Sequence, residues 1–393
     1  MRDVFVVAAT RTAIGAYGGA LKNAPPTQLG AIVIREALKR AELTGSEVGH
    51  VAMGNVISTE PRDVFLSRVS SIEAGISHET PAFNVNRLCG SGLQAIVSAA
   101  QSIMLGDARI AVAGGAESMS RAPYLASSQR WGARMGDSAM IDMLLGALTD
   151  PFNQIHMGVT AENVAARFGI SRQDQDALAA ESHRRAAAAI DTGRFHEQIV
   201  PVVLETRKDI VKFDTDEHVR RDITLESLSG LRPVFRKDNG TVTAGNASGL
   251  NDGAAAVVLM DGATVKQRHV KPMARLVTYA HAGVDPAFMG IGPVPATQMA
   301  LKRAGLSVSQ MDVIEANEAF AAQACAVSRE LQFEPEIVNP NGSGIGLGHP
   351  VGATGVIIAV KALYELQRIK GRYALVTMCI GGGQGIAAVF ERA

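Results

Sequence analysis

Three side chains in this sequence stand at the ends of apolar runs and beside glycines, where reactive groups are useful. Cys89 lies in Asn86-Arg87-Leu88-Cys89-Gly90-Ser91-Gly92-Leu93, after a strand-like approach (Pro81 to Val85) and before a stretch of helical period. A cysteine at a strand-to-helix turn meets the positive end of the helix dipole, which favours thiolate over thiol. The glycines beside it let a substrate approach the backbone closely. A buried, inert thiol is the competing reading. His349 follows the glycine-rich run Asn339 to Gly348 and precedes Pro350, a composition that predicts neither regular helix nor strand. Its imidazole is therefore expected on an irregular turn, suited to take a thiol proton near neutral pH. A solvent-exposed loop histidine is the alternative, and it is the reading given to His50, His78 and His183. Cys379 ends the strand-like run Ala374 to Met378 and opens Ile380-Gly381-Gly382-Gly383-Gln384-Gly385, a turn whose exposed N–H groups are the ingredients of an oxyanion hole. Cys325, inside the alanine-rich helical stretch Ala319 to Leu331, reads as packing.

Asn317-Glu318-Ala319-Phe320 closes another strand-like run, and its asparagine could hold a water or an oxygen, or cap the helix that follows. Gly90-Ser91-Gly92-Leu93-Gln94-Ala95 formally fits a dinucleotide-binding fingerprint, with Glu117 near the separation such a site needs for its acidic residue. Gly114 and Gly115 interrupt the strand end there, and a nicotinamide site has no use for Cys89. The spacing of His, Cys, Asp and Glu suggests no metal ligands.

The elements that must carry these residues occur twice. Ala37-Leu38-Lys39-Arg40-Ala41 recurs as Ala300-Leu301-Lys302-Arg303-Ala304. Each copy ends a helical segment and leads to a strand-like run finishing on asparagine, at Asn55 and at Asn317. Each half then reaches a glycine-rich turn with one reactive side chain, Cys89 or His349, followed by a helix, a strand and paired glycines. Alternating strands and helices predict an α/β protein, with two similar halves facing one cleft. Between the halves, from Glu117 to about Ser248, the sequence reads as an inserted lid, with a capping box at Ser171-Arg172-Gln173-Asp174 opening a helix to about Asp191. Its methionines, Met135, Met140 and Met143, are expected in cores or subunit contacts.

Composition removes several classes of function. The 393 residues suit two or three domains, and 38 basic against 38 acidic side chains leave no basic excess for nucleic acid. Apolar runs such as Val356 to Val360 are short for a membrane span. Three cysteines lacking a C-x-x-C pair make no disulfide framework, and the strand-like run from Val4 has no export pattern before it. A cytoplasmic setting is expected.

Taken in order, the Cys89 turn, Asn317-Glu318-Ala319-Phe320, Gly348-His349-Pro350 and Cys379-Ile380-Gly381-Gly382-Gly383 resemble the signatures of the thiolase family. The resemblance runs from the first strand to the last residues. It implies two duplicated, layered α/β halves with mixed five-stranded sheets and an inserted loop domain. The domains would be 1–118 with 249–270, 119–248, and 271–393. It also implies a ping-pong Claisen condensation of acyl-CoA thioesters. Cys89 would be the nucleophile, His349 its base and Cys379 the base at the second substrate. Asn317 would hold a water for the enolate oxygen, and the N–H groups of Cys89 and Gly381 would serve the tetrahedral intermediate. For the coenzyme A arm it implies His156, Met157, Ala247 and Ser248, with Phe235, Met289 and Phe320 as walls. Arg220 would meet the nucleotide, unless it is an ordinary surface charge. His156 beside Met157 looks like the biosynthetic, short-chain branch found in polyhydroxyalkanoate-storing bacteria, with the degradative β-oxidation branch as the alternative. The family resemblance implies acyl-CoA and free coenzyme A as partners, no separate cofactor, and a homotetramer built as a dimer of dimers.

Overall fold

The computed structural model describes residues 2–205 and 209–393. Its backbone is organised around one continuous mixed sheet made of two matching halves. In the N-terminal half the strands are β1 (Val4–Arg11), β2 (His50–Gly54), β3 (Ala82–Val85), β4 (Ile110–Ser118) and β5 (Asn251–Asp261). They lie side by side as β3-β2-β4-β5-β1, parallel through β3, β2 and β4 and antiparallel from there on. The C-terminal half has β6 (Ala274–Gly283), β7 (Val313–Ala316), β8 (Tyr373–Ile380) and β9 (Gln384–Arg392), ordered β7-β8-β9-β6. The place matching β3 holds a single parallel bridge, Ile314 to Val338. The halves therefore share one topology, and a short antiparallel contact of Phe5 and Val6 with Arg275 and Ala274 joins them.

Four helices explain the layers. Outer helices α1 (Pro26–Arg40) and, in the second half, Pro293–Ala304 each begin with proline in the first turn, where no N–H is needed, and end in Lys-Arg against the dipole. The inner helices are α3 (Ser91–Leu105), after the short α2 (Leu66–Glu73), and α8 (Val351–Ile369), which follows α4 (Met157–Phe168), α5 (Arg172–Asp191), α6 (the Pro293–Ala304 helix) and α7 (Ala321–Leu331). An apolar circumference marks a helix buried on every side, and α8 is of this kind, touching β4 and β5 of one half and β7 and β8 of the other. The segment Leu88–Leu105 has the length and apolar composition of a membrane span, which the sequence reading did not register, but here it is packed largely inside the protein.

The two inner helices meet at glycine. A Cβ on Gly92 would lie 2.7 Å from the Val356 nitrogen, and one on Gly355 would lie 2.2 Å from the Leu93 nitrogen. Neither neighbour is a flexible side-chain tip, so backbone would have to move. The Ser171 capping box is present, with Ser171 Oγ and Asp174 closing the start of α5. The methionines of the inserted region divide: Met143 is half-buried, whereas Met135 and Met140 are exposed rather than in a core. Overpacking a rigid crossing costs about 1–3 kcal/mol. Gly355→Ala is expected at the upper end of that range, read as a lower midpoint in chemical denaturation with an unchanged slope.

Candidate active site

The Cys89 turn is held from within. Leu88 has a φ of +44°, a left-handed backbone that a branched side chain rarely takes. Side chains clamp it: Asn86 Oδ1 accepts the Leu88 N–H at 3.0 Å, and Ser91 Oγ accepts the Arg87 N–H at 2.9 Å while donating to the Leu88 carbonyl at 2.6 Å. Gly90 lies against the second half, where a Cβ would meet Ile380 Cδ1 at 2.5 Å. That contact sets the Gly381 N–H, together with Cys89's own, against the Cys89 sulfur. Burial nevertheless pushes the Cys89 thiol above its ordinary value, with these two donors opposing and the nearby Glu117 adding to the rise. For this half-buried side chain the balance therefore favours a thiol at rest, where the helix dipole alone suggested a thiolate. Desolvation of the anion outweighs it.

His349 is buried, not displayed to solvent, and the glycine-rich run before it contains one helical turn, Gly344–Leu347, where none was expected. Asn251 Oδ1 accepts the His349 N–H at 2.9 Å. Thr354 Oγ1 donates to the Pro350 carbonyl at 2.9 Å, so toward His349 Nδ1, 2.7 Å away, it acts as acceptor. Nδ1 therefore carries the proton, leaving Nε2 as a free base. Asn317 Nδ2 stands 3.4 Å from Nε2, and Asn317 Oδ1 is buried without a protein partner. Asn317 does not cap α7, whose cap position is Phe320. Burial lowers His349 to about 4.

Cys379, near the end of β8, is fully buried among Met157, Met289 and Phe320. Burial first, and the neighbouring Cys89 second, push its thiol far up. Cys89, His349 and Gly381 open on one cavity of about 370 Å³ together with His156, Met157, Phe235, Ala247, Ser248, Met289 and Phe320. His156 stacks on Phe235 at 4.7 Å and accepts the Gly158 N–H through Nδ1 at 3.0 Å, which caps α4. Ser248 N–H donates to the Ala319 carbonyl at 3.0 Å, tying the Ala247-Ser248 segment to the Phe320 turn. Arg220 is different: it is exposed and does not line this cavity.

Other expectations change as well. His183 is buried on α5, where Nδ1 accepts the Arg220 N–H, and His50 is half-buried at the start of β2; of these three, His78 is the exposed one. Cys325 sits on α7 with its thiol pushed up to about 12 by burial. Glu117 is buried and accepts N–H groups from Asn55, Val56, Ile57 and Gly352, so its carboxylate has no face left for a ribose. Thr354, which orients the imidazole, and Asn251, which holds the His349 backbone, went unremarked in the sequence. Thr354 lies one helical turn beyond His349, a spacing that could have flagged it, whereas Asn251 is distant in the chain.

Comparison with known proteins agrees with this geometry. The thiolase N-terminal domain matches residues 4–263 and the thiolase C-terminal domain residues 270–392, and the chain belongs to the thiolase family. It is 68% identical to the β-ketothiolase BktB of Cupriavidus necator, across 100% of this chain and 99% of that one. Among solved structures it resembles the acetyl-CoA acetyltransferase of Bacillus anthracis, with a TM-score of 0.97 and 45% identity over 100% of this chain and 99% of the other. The human mitochondrial 3-ketoacyl-CoA thiolase in complex with CoA is similar too, with a TM-score of 0.96 and 46% identity over 100% and 98% of the two chains.

The histidine shift has a consequence for stability. The folded pKa of His349 is about 4, below its unfolded value of roughly 6.5, so the unfolded chain binds the extra proton between those limits. Its contribution is complete above about 6.5 and declines as pH falls toward 4. His349→Asn is expected to lose less unfolding free energy than the unsubstituted protein over that window, measured by denaturant titration at successive pH values.

Proposed function

We propose that this protein is a short-chain β-ketothiolase and acetyl-CoA C-acetyltransferase, joining two acyl-CoA molecules into a 3-ketoacyl-CoA and running the reverse thiolysis. The observation that carries the reading is the meeting of the Cys89 turn, His349 and Gly381 at one apolar cavity, with Cys379 buried just behind its wall beside Cys89. The relatives support it by name, as a β-ketothiolase and an acetyl-CoA acetyltransferase, and a thiolase of the same fold is known in complex with CoA.

Proton balance orders the steps. Both thiols are neutral at rest, because burial opposes their charge. His349 Nε2 takes the Cys89 proton as the sulfur attacks the first thioester carbonyl. The N–H groups of Cys89 and Gly381 receive the oxyanion. The carbon–sulfur bond to coenzyme A breaks, and the leaving thiolate needs a proton. Cys379 needs to lose one before it can act as a base, and one transfer meets both needs. Acylation also removes the Cys89 charge that would oppose a thiolate at Cys379. That thiolate, a strong base because it is desolvated, takes the α-proton of the second acyl-CoA. His349, now protonated, and a water held by the unpartnered Asn317 Oδ1 hold the enolate oxygen. The enolate carbon bonds to the acyl carbon, the bond to Cys89 breaks, and the imidazolium returns its proton to that sulfur. The low basicity of His349 favours this return.

His156, Met157, Phe235, Ala247, Ser248, Met289 and Phe320 form the channel for the pantetheine arm and acyl group. Both substrates bring their own thioester, so the reaction needs no further cofactor. Arg220 reaches the nucleotide only if that end lies along the surface. A homotetramer in the cytoplasm completes the proposal; the exposed apolar side chains Trp131, Met135, Met140 and Ile141 on the inserted segment support contact between subunits.

Cys89→Ala is expected to abolish turnover and to retain no acyl label. Cys379→Ser should still acquire label from acyl-CoA, at a reduced rate, and form no 3-ketoacyl-CoA. Thiolysis rates should be higher for acetoacetyl- and 3-ketovaleryl-CoA than for long-chain ketoacyl-CoA; the opposite order would move the protein to the degradative branch.

A further inference from the structure

The sheet register aligns the two halves residue by residue. Val51 on β2 pairs with Val112 on β4, and Val313 on β7 pairs with Ala374 on β8. The same step along each strand from those pairs leads to Asn55 and Asn317, and to Glu117 and Cys379. The antiparallel neighbours agree: Glu117 faces Gly253, and Cys379 faces Gly385. Glu117 thus occupies, in the first half, the place that Cys379 holds in the second.

Its contacts cross between the halves. Oε1 accepts Asn55 Nδ2 and the Ile57 N–H, both at 3.1 Å, and Oε2 accepts the Val56 N–H at 3.0 Å and the Gly352 N–H at 2.8 Å. Val56 and Ile57 line the catalytic cavity. Gly352 is in the first turn of α8, just beyond His349, and a Cβ there would stand 2.4 Å from Glu117 Oε2. No side chain other than glycine leaves room for this bond. Burial pushes the fully buried Glu117 carboxyl up to about 8, with the Ile57, Val56 and Gly352 N–H groups opposing. Four donors leave no acceptor for an acid proton, so the geometry holds it as a carboxylate, and in that form it opposes ionisation of the Cys89 sulfur.

We propose that Glu117 is a positioning residue for the condensation, its carboxylate fastening the Asn55–Ile57 turn of one half to the start of α8 and so setting His349 over Cys89. This rests on the catalytic reading above. The bond from Gly352 fixes the first turn of α8, while Asn251 and Thr354 hold only His349 itself. All four contacts donate to Glu117, so a carboxylate satisfies them and a carboxamide cannot: its NH2 would confront the donors on one side.

The test compares Glu117→Gln, Glu117→Asp and Gly352→Ala in the full-length protein, with folded fraction measured by thermal melting. Misplacement of reacting groups by about 1 Å costs on the order of 100-fold. Glu117→Gln and Gly352→Ala are expected to lower kcat by about 10- to 100-fold with KM held within about twofold. Glu117→Asp, which keeps the charge at shorter reach, should recover part of that loss. Iodoacetamide labelling of Cys89, located by mass spectrometry across pH, supplies a second readout. Its midpoint should move to lower pH in Glu117→Gln, since a charge opposing the thiolate is gone, and stay in place in Glu117→Asp. Wild-type kcat in Glu117→Gln, an unmoved labelling midpoint, or a loss that only tracks unfolded protein would each overturn the proposal. Turnover surviving in Cys89→Ala would instead overturn the catalytic reading, whatever Glu117 does.

Discussion

The whole site depends on how closely two helices cross. The inner helices touch within their first two turns, where Gly92 admits the backbone at Val356 and Gly355 admits the backbone at Leu93. Around them Gly54 and Gly115 each leave space for the Gly352 carbonyl. Ordinary side chains hold helix axes about 8–10 Å apart. At a crossing lined by glycine the backbones themselves are in contact, and the turns just ahead of both helices become neighbours. Those turns carry Cys89 and His349. A nucleophile and its base are therefore brought together by the packing of main chain, which cannot change rotamer, and flexible side chains have little part in it.

Burial then decides the charge states. The cavity wall is apolar apart from a few groups, and the ionisable groups at or just behind it shift toward their neutral forms: the two thiols upward, the imidazole downward. A resting ion pair of thiolate and imidazolium would hold its charges before substrate arrived, and would have less to gain from reaction. A neutral pair develops charge only as bonds change. The N–H groups of Cys89 and Gly381 stand ready for it, in surroundings where a hydrogen bond to an anion is stronger than in water. The same desolvation that makes Cys379 slow to ionise makes its thiolate a strong base once formed.

Much of this was written in local sequence. The strand–turn–glycine pattern around Cys89 and Cys379 marks both ends of the site, and the repeated Ala-Leu-Lys-Arg-Ala segment announces the duplicated fold. What was not legible is what depends on partners far away in the chain. The four donors to Glu117 come from both halves, so nothing near it distinguishes a clamp from the acidic residue of a dinucleotide fingerprint. Asn251 reaches His349 from the far side of the fold. The protonation of Cys89 is set by burial, which a dipole argument from one turn does not include. His183 looked like a surface residue because a helix made of alanines and scattered charges gives no local sign of which face is covered.

Duplication also explains why one site results and not two. Cys89 and His349 each sit two residues before an inner helix, in matching turns, and Asn55 and Asn317 match at the ends of matching strands. A pseudo-twofold brings such equivalents face to face. Had both turns kept the same residue, the crossing would hold two thiols or two imidazoles, and neither pair contains both a nucleophile and a base. Divergence at the turn position supplies that pair. Divergence at the strand position gives one half a reactive thiol in Cys379 and the other a carboxylate, Glu117, that is spent entirely on backbone and Asn55 donors. Symmetry of the frame secures the proximity, and loss of symmetry in two side-chain positions gives it chemical direction.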